Sequence, residues 1–155
     1  MSGGDATSYL VRHAKAGSRE KWTRPDRERP LTDTGRVQAT ALARMLAASA
    51  HSVRSSPYVR CVETVAPLAE ALGLHVEEDE RLAEGSDPAW AMVQLASSPG
   101  SVLCTHGDVM ASIVISLADS HLPMTGGMQW AKGATWAFSI AGGRIVVGRY
   151  LPPPA

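Results

Sequence analysis

Short apolar runs alternate with amphipathic segments along most of the chain, a pattern that predicts alternating strands and helices. The runs are rich in β-forming side chains and too short for helices, whereas the amphipathic segments repeat apolar residues at helical spacing. Two alternating segments near the C-terminus are joined by Gly142-Gly143, which is typical of a β-hairpin. The predicted strands are 8–12, 51–55, 74–76, 101–105, 135–140 and 144–150.

Capping residues set the predicted helix boundaries. Thr32 is a suitable N-cap for a helix reaching about residue 48, and Ser56-Pro57 offers a serine N-cap followed by a proline in the first helical position. Gly73 is expected to end that second helix, with a bend or break at Pro67. Two further helices are predicted, at 89–96 after Asp87-Pro88 and at 109–118 with Asp108 as N-cap.

The order of these elements predicts an α/β fold. We expect a three-layer sandwich with a mostly parallel central sheet, helices on both faces and an antiparallel C-terminal hairpin. The length of 155 residues suits a single domain, 1–155, with loose termini at 1–7 and 152–155. Residues 17–30 are charged and lack periodicity, so we expect them to form a loop over the functional site, whose candidate residues are described below. Residues 122–132 are expected to be irregular.

Composition excludes several classes of protein. Hydrophobic residues make up 45% and charged residues 19% of a chain with zero formal net charge, which is typical of a globular protein without an extended nucleic-acid surface. No apolar run approaches the length of a membrane span. Two cysteines, Cys61 and Cys104, occur without a CxxC motif or a leader-type apolar segment, so we expect a reducing, cytoplasmic setting.

The charge is unevenly distributed. Residues 12–29 contain seven Lys or Arg and three acidic residues, whereas 77–87 contains six acidic residues and one arginine. A cationic segment beside the first strand would suit a small anionic substrate, although both segments could equally be solvated loops.

Two histidines follow buried strands in the same context. His13 and His106 each come after an apolar run and before a residue no larger than alanine, and Arg12 precedes the first of them. In an open α/β sheet the carboxyl ends of parallel strands converge on one crevice, so we expect these residues to meet. The alternative is a pair of structural, hydrogen-bonded histidines.

An arginine near a helix start adds a second anion-binding element. Arg60 lies at the beginning of the second predicted helix, with Thr64 one turn further along the same face. A helix N-terminus attracts anions, and a guanidinium group can hold two phosphate oxygens. Alternatively, Arg60 is a surface residue paired with Glu63 or Glu77.

Five short blocks follow one another in fixed order along the chain. They are Val11-Arg12-His13-Ala14, Leu31-Thr32-Asp33-Thr34-Gly35-Arg36-Val37-Gln38-Ala39, Ser55-Ser56-Pro57-Tyr58-Val59-Arg60-Cys61-Val62-Glu63-Thr64, Leu82-Ala83-Glu84 and Thr105-His106-Gly107. Together these blocks resemble the histidine phosphatase superfamily, in its phosphoglycerate-mutase-like branch, and the likeness extends from Tyr9 to about Leu117. The short chain is most similar to SixA-type phosphohistidine phosphatases, and it also resembles the phosphatase domain fused to some Nudix hydrolases.

The resemblance implies a role for each matching residue. His13 would be the nucleophile that is transiently phosphorylated, and Glu84 the proton donor, with Asp87 as an alternative acid. Ala14 stands where the family usually has glycine, a change that we expect to be tolerated. The phosphoryl oxygens would be bound by Arg12, Arg60 and His106, with Lys15, Ser18 and Arg19 as further candidates for substrate contact.

This residue set suits phosphoryl transfer without a metal or other cofactor. Two arginines and a histidine can neutralise a phosphate dianion and hold its oxygens. Neighbouring arginines should lower the pKa of the attacking imidazole, and a backbone carbonyl should fix its tautomer. Metal binding is disfavoured, since neither HExxH nor HxH spacing occurs.

Three readings of the function stay open. The first is a phosphatase acting on a phosphorylated small molecule, either an ester or an anhydride. The second is a phosphatase that regulates a partner protein by removing phosphate from phosphohistidine, and the third is a module that binds a phosphorylated ligand without turnover. A mutase is disfavoured, because the short interval between Glu84 and His106 leaves little chain for a cap. The physiological substrate and the oligomeric state do not follow from the sequence.

Overall fold

The computed structural model describes residues 6–154. Seven strands and four α-helices alternate along the chain, with short 3-10 turns at Asp26–Glu28 and Glu80–Leu82. The strands are β1 (Thr7–Arg12), β2 (Ser52–Ser55), β3 (Glu77–Glu78), β4 (Ser101–Thr105), β5 (Met124–Thr125), β6 (Thr135–Ala141) and β7 (Arg144–Leu151). The helices are α1 (Asp33–Leu46), α2 (Val59–Ala71), α3 (Ala89–Ser97) and α4 (Gly107–Asp119).

All seven strands form one sheet in the order β3-β2-β4-β1-β6-β7-β5. Strands β3, β2, β4 and β1 are mutually parallel, and β6 joins β1 in the antiparallel sense. The hairpin of β6 and β7 turns through Gly142 and Gly143, which both have positive φ. Glycine tolerates this conformation, whereas other residues are strained in it. The predicted mixed sheet with its C-terminal hairpin is confirmed.

The helices cover both faces of the sheet. Because successive side chains of a strand point to opposite faces, Tyr9 and Val11 pack with α1 and α2, whereas Leu10 packs with α3 and α4. The core on the α3 and α4 side, which contains Leu10, also includes Trp136 and Phe138 of β6, whose rings are stacked with centroids 6.2 Å apart. The three-layer α/β architecture expected from the sequence is therefore present.

Several local expectations are corrected. α2 begins at Val59 and not at Pro57, with Tyr58 as its N-cap. The Ser56 hydroxyl contacts the buried ring of His106 and also accepts a hydrogen bond from Tyr58 N–H at 3.3 Å, before the first helical residue. α2 also continues through Pro67, whose missing N–H does not end the helix while Val65, Leu68 and Ala69 pack in the core.

Two predicted elements are shifted along the chain. The short third strand is Glu77–Glu78 and not 74–76. α4 begins at Gly107, after His106, because the Asp108 carboxylate accepts a hydrogen bond from Gly85 N–H across the site and does not cap the helix.

The termini are only partly loose. Thr7, expected in a loose segment, pairs with Ser139 at the start of β1. Residues 152–154 follow β7 without regular structure, whereas 1–5 and 155 lie outside the described residues. Within 6–154, none of the helices has the length and hydropathy needed to cross a bilayer.

Candidate active site

Three adjacent parallel strands deliver the central polar residues to one edge of the sheet. His13 follows β1, His106 follows β4 and Ser56 follows β2. The strand ladders continue past the strand ends, since His13 N–H donates to Thr105 O at 3.1 Å and Ser56 N–H donates to Cys104 O at 2.9 Å. The three side chains are therefore neighbours because of strand order and register.

The His13 ring is held by the backbone of the next residue. Its Nδ1 lies 2.8 Å from Ala14 O, and because a carbonyl can only accept, Nδ1 carries the proton. Nε2 is then the nitrogen with the free lone pair. Burial, with the nearby charges of Arg60 and Arg12, lowers the pKa of His13 to about 3, so the imidazole is neutral at physiological pH. The carbonyl contact expected from the sequence is present.

The His106 ring is held by the opposite nitrogen. Its Nε2 lies 2.8 Å from Ser56 Oγ and 3.5 Å from Cys61 Sγ. Its Nδ1 lies 3.7 Å from Glu84 Oε1, beyond hydrogen-bond distance. The His106 and His13 rings meet edge to face with centroids 5.6 Å apart. The two histidines therefore flank one small space.

Arg12 is hydrogen-bonded to residues 130–133, the segment that precedes β6. We call this segment the wall segment. Arg12 Nη1 donates to Trp130 O at 2.6 Å, whereas Arg12 Nε is buried without a partner among the described residues. The guanidinium lies against Gly107, where a Cβ would stand 2.6 Å from Arg12 Cζ. Gly107 therefore makes room for the charge of Arg12 beside His106.

Arg60 is almost fully buried at the start of α2. Its Nη1 donates to Asp26 O at 3.0 Å, and its Nη2 donates to Asp26 Oδ2 and Glu84 Oε1, both at 3.1 Å. The Tyr58 ring lies beneath the guanidinium, with its centroid 5.0 Å from Arg60 Cζ. Thr64 connects this region to the segment that follows His13, because its hydroxyl donates to Arg60 O and accepts from Ala14 N–H.

The basic and acidic segments of the sequence pair with each other over the site. Residues 17–30, which we call the covering loop, contact the acidic segment 77–87 through Arg27 with Glu80 at 2.6 Å and Arg19 with Glu84 at 3.3 Å. Asp26 of the covering loop reaches inward to Arg60. The loop thus lies over the site as expected, with part of its positive charge neutralised.

These residues enclose a cavity of about 600 Å³, which is large enough for a small organic phosphate. Seven of the predicted residues line it, namely five catalytic or phosphate-binding residues and two substrate candidates of the covering loop. Lys15 is exposed and does not line the cavity, and Asp87 instead accepts a hydrogen bond from Ala89 N–H. The predicted residues that line it are Arg12, His13, Ser18, Arg19, Arg60, Glu84 and His106.

Four charged or aromatic lining residues are not among the predicted site residues: Arg29, Asp108, Trp130 and Lys132. Asp108 has the sequence features of a helix N-cap, and the other three belong to segments without periodicity, which predicts loops. Only the positive charge of the covering loop could have indicated that Arg29 lines the cavity. No sequence feature near Lys132 indicates its position in the cavity. Asp26 was also missed, although it holds both Arg29 and Arg60. Within 6–154, no three His, Cys, Asp or Glu side chains are grouped as a metal site.

Comparison with known families agrees with this geometry. The sequence profile of the histidine phosphatase superfamily (branch 1) matches residues 8–96, more than half of the chain. The chain belongs to this superfamily. The matched range includes Arg12, His13, Arg60 and Glu84, and His106 lies beyond it.

A curated relative extends the comparison over nearly the whole chain. The chain is 34% identical over 158 residues to an 8-oxo-(d)GTP phosphatase of Mycolicibacterium smegmatis, with 96% of this chain covered. The match spans only 48% of that relative, so the chain corresponds to about half of its length.

The fold is shared with SixA structures. A candidate phosphohistidine phosphatase SixA from Agrobacterium tumefaciens superposes with a TM-score of 0.73 at 20% identity, covering 97% of this chain and 99% of that one. A protein histidine phosphatase SixA complexed with tungstate gives 0.71 at 20% identity, with 94% of each chain covered. At this identity the structural likeness establishes the fold.

Proposed function

We propose that residues 1–155 form one phosphatase domain that is independent of metal and works through a phosphohistidine on His13. The observation that carries the proposal is the Nδ1 contact of His13 with Ala14 O inside a cavity lined by arginines. This contact leaves the Nε2 lone pair available, and the depressed pKa keeps it available at neutral pH. A neutral imidazole beside a bound phosphoryl group is the arrangement that nucleophilic phosphoryl transfer requires.

In the first step His13 Nε2 attacks phosphorus. A bond forms between Nε2 and phosphorus while the bond from phosphorus to the leaving oxygen breaks, and the leaving oxygen takes the electron pair of that bond. Arg12, Arg60 and His106 balance the charge on the three non-bridging oxygens. Glu84 contacts Arg60 and lies beside His106, so its carboxyl group can give a proton to the leaving oxygen.

In the second step water releases the phosphate. Glu84, now a carboxylate, takes a proton from water as the water oxygen attacks phosphorus. The bond between Nε2 and phosphorus breaks, its electron pair returns to His13, and inorganic phosphate leaves.

The substrate classes that fit are a phosphate ester, a phosphoanhydride and a phosphohistidine protein. The name of the mycobacterial relative, an 8-oxo-(d)GTP phosphatase, supports a nucleotide anhydride, whereas the SixA structures support phosphohistidine. The exposed position of Arg19 and Ser18 on the covering loop would let either kind of substrate reach the site.

Trapping of the covalent intermediate tests the proposal. The protein is incubated with a ³²P-labelled substrate, such as γ-labelled ATP or labelled acetyl phosphate, and quenched. We expect a labelled adduct that is stable in alkali and lost in acid, and we expect His13→Ala to abolish both the adduct and the hydrolysis of p-nitrophenyl phosphate. An active His13→Ala variant would contradict the proposal. Tight phosphate binding without any adduct would identify a module that only binds phosphorylated ligands.

A further inference from the structure

The cavity holds more positive charge than one phosphoryl group needs. Arg29 and Lys132 line it from two different sides, the covering loop and the wall segment. Neither is among the residues that flank the small space between His13 and His106. Arg29 and Lys132 therefore add positive charge to a part of the cavity that the phosphoryl group at His13 does not need.

Arg29 is a buried charge with incomplete compensation. Its Nε donates to Asp26 Oδ1 at 3.0 Å and its Nη1 donates to Gly17 O at 2.6 Å. The same Asp26 carboxylate also bonds to Arg60 and lies 3.6 Å from Arg19. Arg60 and Arg19 also contact Glu84, so two carboxylates face three arginines, which leaves net positive charge beneath the covering loop.

Lys132 faces the same cavity without a carboxylate in salt-bridge contact among residues 6–154. Burial lowers its pKa, and the charges of Arg12, Arg29 and Arg60 lower it further. Such a cluster of cations is held together by the fold, and a bound anion relieves the repulsion within it.

The backbone beside Lys132 lies close to His13, the proposed nucleophile. The next residue, Gly133, donates its N–H to His13 O at 2.9 Å and to Arg12 O at 3.2 Å, and Trp130 O accepts from Arg12. Since Lys132 and His13 line one cavity and their backbones are neighbours, we infer that an anionic group held by Lys132 lies next to the phosphoryl group at His13. Two adjacent phosphoryl groups that share an oxygen are a phosphoanhydride.

We propose that Arg29 and Lys132 form a second anion subsite, and that the substrate is a phosphoanhydride such as a nucleoside diphosphate or triphosphate or inorganic diphosphate. This inference rests on the proposed function and names its substrate class. His13 Nε2 bonds to the terminal phosphorus, the bridging oxygen leaves with the rest of the chain as a phosphate, and water then frees inorganic phosphate. A nucleoside diphosphate and water thus yield a nucleoside monophosphate and phosphate. The leaving phosphate stays paired with Lys132 during bond cleavage.

Substrate comparison across Lys132 variants tests the subsite. For wild type, Lys132→Ala and Lys132→Arg, kcat/KM is measured on ADP, GDP, inorganic diphosphate and p-nitrophenyl phosphate. In Lys132→Ala we expect the ratio of diphosphate to p-nitrophenyl phosphate activity to fall about tenfold or more, since a charge-assisted contact is lost for one substrate class. Lys132→Arg should restore most of the ratio.

The matched control is Lys21→Ala. Lys21 is an exposed lysine of the covering loop that does not line the cavity, so its removal should leave the ratio unchanged. A ratio that stays constant in Lys132→Ala would overturn the subsite. So would a wild type that hydrolyses p-nitrophenyl phosphate or a phosphohistidine protein and no anhydride, although the phosphatase proposal would then stand.

Binding measurements separate the two proposals. Calorimetry on His13→Ala, which cannot form the adduct, compares inorganic diphosphate with inorganic phosphate. We expect diphosphate to bind about tenfold more tightly, and Lys132→Ala in the same background to remove that preference. Failure of catalysis with this preference intact would reject the phosphatase and keep the subsite, whereas equal binding of the two anions would reject the subsite.

Discussion

The ends of β1 and β4 resemble each other in sequence and differ in chemistry. Each strand delivers a histidine followed by a small residue, yet the two rings are held by opposite nitrogens. His13 is fixed through Nδ1 by the Ala14 carbonyl, and His106 is fixed through Nε2 by the Ser56 hydroxyl. A carbonyl forces one tautomer, whereas a hydroxyl can donate or accept. In the mechanism that we propose, this difference makes His13 the nucleophile and His106 the phosphate ligand.

Alanine at each strand end should separate these roles and gives the largest expected effects. We expect His13→Ala to lower kcat on p-nitrophenyl phosphate by about 10⁴-fold or more, because the attacking group is lost. His106→Ala should lower kcat by about 10² to 10³-fold, the usual effect of removing one donor to a developing oxyanion. Steady-state kinetics on both variants measures the difference.

The phosphorylated intermediate distinguishes the two variants further. His106→Ala should still form the acid-labile adduct, more slowly, whereas His13→Ala should form none. If the adduct instead persists in His13→Ala and disappears in His106→Ala, the assigned roles are reversed.

The pH dependence of stability should report the environment of His13. Its pKa is about 3 in the folded protein against 6.5 for an ordinary histidine, so between these values the unfolded chain binds the extra proton. The free energy of unfolding should therefore fall as pH decreases through this window, by about 2 kcal/mol from this residue between pH 7.5 and 5. Urea titrations at several pH values measure the fall.

A neutral replacement isolates this contribution. In His13→Gln the free energy of unfolding should fall by about 2 kcal/mol less than in wild type between pH 7.5 and 5. Above pH 7.5 the free energies of unfolding of the two proteins should change with pH in parallel. Equal falls in both proteins would show that His13 is not held neutral by its surroundings.

The small residues after the two histidines should also differ in their effect. Gly107→Ala places a Cβ 2.6 Å from Arg12 Cζ, so the guanidinium must shift from its contact with Trp130 O. We expect kcat/KM to fall about tenfold with little change in stability. Ala14→Gly removes a fully buried methyl group, which should cost about 1 kcal/mol of stability and affect activity less.

Kinetics and urea unfolding on the same two proteins resolve this contrast. An Ala14→Gly variant that loses as much activity as Gly107→Ala, at equal stability, would show that crowding of Arg12 is not the reason for the glycine.

The smallest expected effect belongs to Ser56, the residue that orients His106. Ser56→Ala should lower kcat/KM about fivefold, as the loss of one hydrogen bond implies. The neighbouring Ser55→Ala is the matched control, since Ser55 is equally buried and its hydroxyl donates to Ser56 O instead of the ring. If both variants lose stability and activity in the same proportion, Ser56 is structural and does not position His106.

Local signals explain which parts of this molecule could be predicted. Thr32 was expected to cap α1, and its hydroxyl accepts from Gly35 N–H as a capping residue does. The apolar runs before His13 and His106 gave β1 and β4, and the strand-end rule then placed the two rings together. These inferences succeed because a few consecutive residues contain the whole signal.

Tertiary contacts explain what the sequence could not show. Ser56 has the sequence features of an N-cap, and nothing in the sequence shows that its hydroxyl also contacts the His106 ring in the folded protein. Lys132 has no local signature, because its place in the cavity depends on the backbone bonds of Gly133 to the end of β1. Arg29 and Asp26 lie in a loop without periodicity, and only the folded chain brings them to Arg60.

The carboxylates around Arg60 have a consequence for turnover. Asp26 and Glu84 already accept hydrogen bonds from Nη2 of this guanidinium, so an anion gains Nη2 by exchanging with a protein carboxylate. In the mechanism that we propose, this exchange would weaken the affinity for any single phosphate, including the inorganic phosphate released. Competition within the site would thereby limit product inhibition and free His13 for the next cycle.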